Sequence, residues 1–81
     1  MVINIYAPKK DKLDEVELST DGDVDEYYIL PRVGENIVAN SDRGRFYLKV
    51  LAVIHYTGKE LGFIDIECEQ FENYDDMMED I

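Results

Sequence analysis

Phe46-Tyr47-Leu48-Lys49-Val50-Leu51-Ala52-Val53-Ile54-His55-Tyr56 and, after a short link, Phe63-Ile64-Asp65-Ile66-Glu67-Cys68-Glu69-Gln70-Phe71 decide the fold class. The second run alternates strictly. Ile64, Ile66 and Cys68 fall on one side and Asp65, Glu67 and Glu69 on the other, the period of a solvent-exposed strand with one buried face and an acidic outer row. The first run is apolar on both sides and dense in aromatic and β-branched residues. It therefore reads as a strand rather than a helix, central in its sheet or bent across two. The link Thr57-Gly58-Lys59-Glu60-Leu61-Gly62 holds two glycines free to take strained angles, so the chain turns back. Together the two runs predict a long hairpin, Phe46–Tyr56 against Phe63–Phe71.

Working outward, Val2 to Tyr6 predicts a first strand, followed by the basic link Pro8-Lys9-Lys10-Asp11-Lys12. Val16 and Leu18 alternate with polar neighbours and predict a second, half-buried strand. Thr20-Asp21-Gly22-Asp23 has the residues of a tight turn, and Tyr27-Tyr28-Ile29-Leu30 reads as a third strand that Pro31 stops. Gly34 marks the next turn, Ile37-Val38-Ala39 a short strand, and Asn40-Ser41-Asp42-Arg43-Gly44 a polar loop. After Phe71, Tyr74, Met77, Met78 and Ile81 fall at the spacing of one apolar helical face, with Asn73 placed to cap it. The alternative for these last residues is a frayed terminus. The expected organisation is a β domain over residues 1–73 and an acidic amphipathic tail over residues 74–81.

Five or so short strands joined by glycine-bearing turns imply a small mainly β fold, a five- to six-stranded barrel or roll with a short C-terminal helix or acidic tail. Ile29-Leu30-Pro31-Arg32-Val33-Gly34-Glu35, then Gly44-Arg45-Phe46-Tyr47-Leu48-Lys49-Val50, then Val53-Ile54-His55-Tyr56 resembles small bacterial and phage SH3-like barrel proteins. There a Pro-x-x-Gly turn leads into a short strand, a hairpin and a long bent strand. The resemblance spans roughly Tyr27 to Phe71. It implies an SH3-like barrel and a binding module, and it assigns a role to no individual residue.

At 81 residues the chain supports one domain, which buries only about 60–65% of the surface its unfolded chain exposes. With 46% hydrophobic and 11% aromatic residues it has the composition of a folded protein despite 19 acids against 8 bases. Cys68 is the only cysteine, so a disulfide framework within the chain is excluded and a reducing, cytoplasmic setting is expected. The apolar start is too short for a signal peptide's hydrophobic region, and no apolar run reaches membrane-spanning length.

No arrangement of residue types composes a catalytic or metal site. A nucleophile–base pair would need both Cys68 and His55, which a symmetric hairpin separates by roughly 13 Å at strand spacing. Cys68 shares its side with Ile64 and Ile66 and reads as a buried thiol. Asp21, Asp23 and Asp25 superficially suggest a calcium loop, but Glu26 and Arg32 occupy the places where glycine and the bidentate glutamate belong. A solvated acidic turn is the plainer reading. Zinc-ligand spacing and a phosphate-cradling glycine loop are also lacking, so neither cofactor nor metal is expected. The acids of the outer row form an open series without the contrasting environments that acid–base catalysis needs. The chain therefore reads as no enzyme.

Charge distribution is more informative. The formal charge is −11, and it is uneven: residues 60–81 hold nine acids and no base, and residues 13–35 hold eight acids against Arg32. Residues 36–59 carry Arg43, Arg45, Lys49 and Lys59 against Asp42. Asp65, Glu67 and Glu69 repeat at roughly 7 Å on one side of their strand. Such a row suits a basic protein partner, although the outward residues of any half-buried strand must be polar. The tail residues Glu72, Asp75, Asp76, Met77, Met78, Glu79 and Asp80 mix acids with an apolar stripe, suited to a groove lined by bases. The plainer alternative is a helix plugging one mouth of the protein's own barrel.

The expected function is a non-catalytic, acidic protein-interaction module. Its sharpest form is a phage or mobile-element inhibitor that mimics nucleic acid and blocks a basic, nucleic-acid-binding host defence complex. Asp65, Glu67 and Glu69 with the tail would make the contact. One alternative is an accessory domain that docks a specific protein with incidental acidity. Another is direct nucleic-acid binding through Arg43, Arg45 and Lys49, which the surrounding negative charge disfavours. An open edge strand also makes a homodimer an option.

Overall fold

The computed structural model describes residues 2–22, 30–56, 58 and 62–79. They form β1 (Val2–Ala7), β2 (Val16–Ser19), β3 (Asn36–Ser41), β4 (Gly44–His55), β5 (Phe63–Phe71) and α1 (Tyr74–Glu79). The strands make one sheet in the order β2-β1-β5-β4-β3. This is a curled, five-stranded half-barrel with one short C-terminal helix, consistent with a small SH3-like barrel. The third strand expected at Tyr27–Leu30 falls almost wholly outside the described residues. Of it, only Leu30 is seen, packed against the core.

The predicted hairpin forms, with one slip in its register. β4 and β5 pair antiparallel, with His55 opposite Ile64 and Val50 opposite Cys68. The register slips between Val50 and Ala52, so Leu51 is the extra residue of a β-bulge and stands 52% exposed. That slip explains why the first run looked apolar on both sides. Before it Leu48 and Val50 point inward and Tyr47 and Lys49 outward; after it Val53 points inward and Ala52 and Ile54 outward. The strand is thus both paired on two sides and bent.

One pairing goes beyond the expected hairpin. β5 keeps its exposed acidic side and lies in the middle of the sheet, because β1 lies beside it in parallel, Asn4 opposite Asp65 and Tyr6 opposite Glu67. A hairpin cannot supply that pairing. It needs a long connection, here everything from β2 to β4. Val2 N donates to Gly62 O and continues the pairing beyond the strand ends.

The core lies on the concave side. Ile3, Ile5 and Ala7 of β1, Val16 and Leu18 of β2, Ile37 and Ala39 of β3, Leu48 and Val50 of β4, and Ile64, Ile66 and Cys68 of β5 are all buried, each set at alternate positions. Gln70 continues the inner row of β5, and its amide donates to Pro8 O at 2.9 Å and Asp14 O at 2.6 Å. It therefore ties the β1–β2 link to the sheet without leaving a buried polar group unsatisfied. Arg43 in the β3–β4 turn donates from Nη2 to Glu17 O at 2.6 Å, joining that turn to the edge of β2 and drawing the curl together. Gly44 closes the turn at φ +127, a conformation that a side chain would strain.

α1 begins where Asn73 predicted: its Oδ1 accepts from Asp76 N at 2.9 Å. The helix lies against β4 and β5, with Tyr74 edge-on to Tyr47 at 6.5 Å and Met78 Sδ near Asn36 Nδ2. Tyr47 and Asn36 both point away from the core, so α1 covers one end of the sheet's outer side and does not plug the barrel mouth. Among the described residues no helix is long and apolar enough to cross a membrane.

Candidate functional site: the outer face of the sheet

Because β5 is central, its outward row lies in the middle of a face rather than along an edge. Phe63, Asp65, Glu67, Glu69 and Phe71 run down that row, and pairing places their neighbours. Glu67 sits opposite Tyr6, which sits opposite Glu17 on β2; Asp65 sits opposite Asn4 and Ile54. Acids from two strands far apart in sequence thus flank one exposed tyrosine. A shallow depression of about 480 Å³ lies there, with Asn4, Tyr6, Glu17, Ser19, Asp65 and Glu67 around it and Arg43 at its rim.

The acids crowd enough to affect one another. The Tyr6 phenol is held above its ordinary value of 10.0, first by the Glu15 carboxylate and further by partial burial, Glu17 and Glu67. Glu15 itself is raised above the usual carboxylate range, chiefly by its side-chain contact with Glu17. Like charges held close disfavour ionisation, so these shifts mark a crowding of negative charge around Tyr6.

The predicted row is not uniform. Asp65 accepts from Tyr56 OH at 2.9 Å and Asn4 Nδ2 at 3.1 Å, and the Tyr56 phenol is raised in turn by that hydrogen bond. Glu69 pairs with Lys10 Nζ at 2.6 Å, and Lys10 also lies 4.7 Å from the centre of the Phe71 ring. Glu67 is the most exposed of the three. Two of the three expected contact acids therefore already have partners within the fold.

The tail departs further from its expected role. Met77 is only 2% exposed: it anchors α1 and is not displayed to a partner. Met78, Tyr74, Asp75, Asp76 and Glu79 remain on the surface, and Glu72 precedes the helix on it. Asp80 lies outside the described residues, as do Ile81 of the helical stripe and Asp23, Asp25 and Glu26 of the acidic turn. The alternative basic site is dispersed. Arg43 holds β2, Arg45 Nε donates to Asn40 Oδ1 at 2.7 Å, Lys49 projects beside Glu69, and Phe46 and Tyr47 point to opposite faces. Cys68 is fully buried, and burial pushes its thiol up to about 12; His55 is exposed and lies opposite Ile64, well along the ladder. They form no nucleophile–base pair.

Glu15, Glu17 and Tyr6 are the additions to the sequence-derived site. Alternation in β2 already put Glu17 outward, but nothing local signalled that β1 would bring it to β5. No protein-family model, curated protein or solved structure matches the chain.

Proposed function

We propose that the outer face of the sheet is a docking surface for a basic protein, and that the protein acts as a non-catalytic interaction module. The observation that carries this reading is the convergence of Glu15, just before β2, and Glu17 of β2 with Asp65 and Glu67 from β5 around exposed Tyr6. Charge gathered on one face steers a basic partner into a defined orientation, whereas the same charge scattered would only keep the chain soluble. The exposed rings of Tyr6, Tyr56 and Phe63 add apolar area of the type that anchors protein interfaces. In its sharpest form the face imitates a nucleic-acid backbone. Its acids follow one another at roughly 7 Å along β5, and it occupies the nucleic-acid cleft of a partner, such as a host defence complex.

The test pairs a charge-reversed face with a salt series. Glu17→Lys with Glu67→Lys alters two exposed positions whose side chains serve no core contact. Proteins captured from a lysate of the native source by the wild-type chain at low salt should be lost in the double variant. They should also be released near about 1 M salt, where screening reduces the Debye length to about 3 Å. With a purified captured protein, association should slow by about tenfold or more. Retention of the same proteins by the double variant and at high salt would refute the docking face. Loss of capture only when residues 74–81 are deleted would instead favour an accessory domain bound through its tail. A salt-sensitive shift of naked DNA or RNA would favour direct nucleic-acid binding.

A further inference from the structure

The outward row of β5 starts and ends on an aromatic ring, with a carboxylate two residues inside each end: Phe63 with Asp65, and Glu69 with Phe71. At one end the molecule shows what such a pair holds. Lys10 places its ammonium 4.7 Å from the Phe71 ring centre and 2.6 Å from Glu69 Oε2, attracted by a ring face and a carboxylate together.

The other end repeats the pair at the same spacing and on the same face, and enlarges it. Tyr56 sets a second ring 5.1 Å from Phe63, and the two are 43% and 36% exposed. Asp65 is held firmly, one oxygen accepting from Asn4 and the other from Tyr56. Each carboxylate oxygen has two lone-pair directions, so each can still accept from a further donor.

We propose that Phe63, Tyr56 and Asp65 form a seat for one arginine side chain of the partner protein, the counterpart of the Lys10 seat. This rests on reading the outer face as a docking surface for a basic protein. The field of the acids draws a base to the face, and the ring pair with Asp65 fixes where it settles. Arginine fits better than lysine because its planar fork stacks on rings while donating two parallel hydrogen bonds. The seat adds to the steering charge a fixed anchor, the kind of contact that dominates interface energetics.

A short peptide alternating arginine and serine serves as the probe, followed by NMR of the aromatic rings in the full chain. Its citrulline counterpart, neutral but similar in shape, is the control. The arginine peptide should move the Phe63 and Tyr56 ring resonances, and the citrulline peptide should not. Phe63→Leu keeps charge and apolarity but removes the ring face, and should weaken binding about two- to fivefold. Phe71→Leu, at the end already filled by Lys10, should leave affinity unchanged. Asp65→Asn is the second variant; restoring only part of the lost affinity by lowering salt would support the seat. If the peptide binds but Phe63→Leu matches wild type and the Phe63 ring does not respond, the seat is wrong and the docking face stands. If the wild-type chain fails to bind the peptide even at low salt, both readings fall.

Discussion

The two sides of β5 are built from adjacent residues yet do opposite work. Ile64, Ile66 and Cys68 on the inner side are all but sealed, and Gln70 beside them is satisfied by two backbone carbonyls. Phe63, Asp65, Glu67, Glu69 and Phe71 on the outer side stay wholly or partly exposed, although the strand has a neighbour on each side. Pairing within a sheet satisfies the backbone, but only a second layer buries side chains. Here the inner face closes on itself by curling, and among the described residues only the six of α1 lie over one end of the outer face. Charge and aromatic rings gather on the rest of that face, the part proposed above to dock a partner.

The contrast is broken most directly at Ile66 and Glu67. Ile66 has no exposed surface, so Ile66→Ala removes buried methyl groups and leaves a cavity. It should cost about 2–5 kcal/mol in urea unfolding, enough to threaten a domain of this size. Glu67→Ala, one residue on, should change stability by less than about 0.5 kcal/mol. Comparable losses at the two positions would mean that the outer face is covered in solution and is not a docking surface.

The same comparison can be sharpened within α1. Met77 and Met78 are adjacent, but Met77 is 2% exposed and Met78 is 38% exposed. A helix of fewer than two turns is not stable alone and depends on such an anchor. Met77→Ala should cost about 2 kcal/mol at the lower end of the range for buried methionine, and it should release α1, read as lost hydrogen-exchange protection of the backbone amide at position 77, which donates to Asn73 O. Met78→Ala should do neither. If the two variants behave alike, α1 is not docked as described, and the tail regains its standing as a free partner-binding segment.

How much of this was legible depended on the distance over which each residue's partner lay. Strand identity, the β4–β5 hairpin, the inner row of β5 and the Asn73 cap all follow from neighbours within a few residues. The bulge at Leu51 was visible only as lost alternation, which a strand buried on both faces would also produce. Parallel pairing of β1 with β5 was not legible, since it depends on contacts across some sixty residues of chain, such as Asn4 to Asp65. The candidate face inherits that division. Asp65, Glu67 and Glu69 were found from period alone, whereas Tyr6, Glu15 and Glu17 joined them only through the β1 pairing. The partners that occupy Asp65 and Glu69, Tyr56 and Lys10, were hidden for the same reason.

The smallest expected effect is also the most specific to that long-range pairing. If Glu15, Glu17 and Glu67 really surround Tyr6, its phenol must titrate above the ordinary tyrosine value, because carboxylates resist a further negative charge. The shift should be read from the Tyr6 ring resonances across alkaline pH. Glu15→Gln, which removes the largest contributor, should bring the value down, as should added salt, since the group is exposed and screening is effective. The linkage has a definite sign. Below the ordinary value the phenol is neutral in both the folded and the unfolded chain, and Tyr6 contributes nothing to the pH dependence of stability. Above it the unfolded chain loses a proton that the folded chain still holds, so the folded state is disfavoured as pH rises, until Tyr6 ionises there too. Glu15→Gln should therefore flatten the alkaline fall in melting temperature slightly while leaving neutral pH unchanged on this account. A Tyr6 that titrates normally and ignores Glu15→Gln would separate β2 from β5 on the outer face, and with them the two halves of the acidic surface.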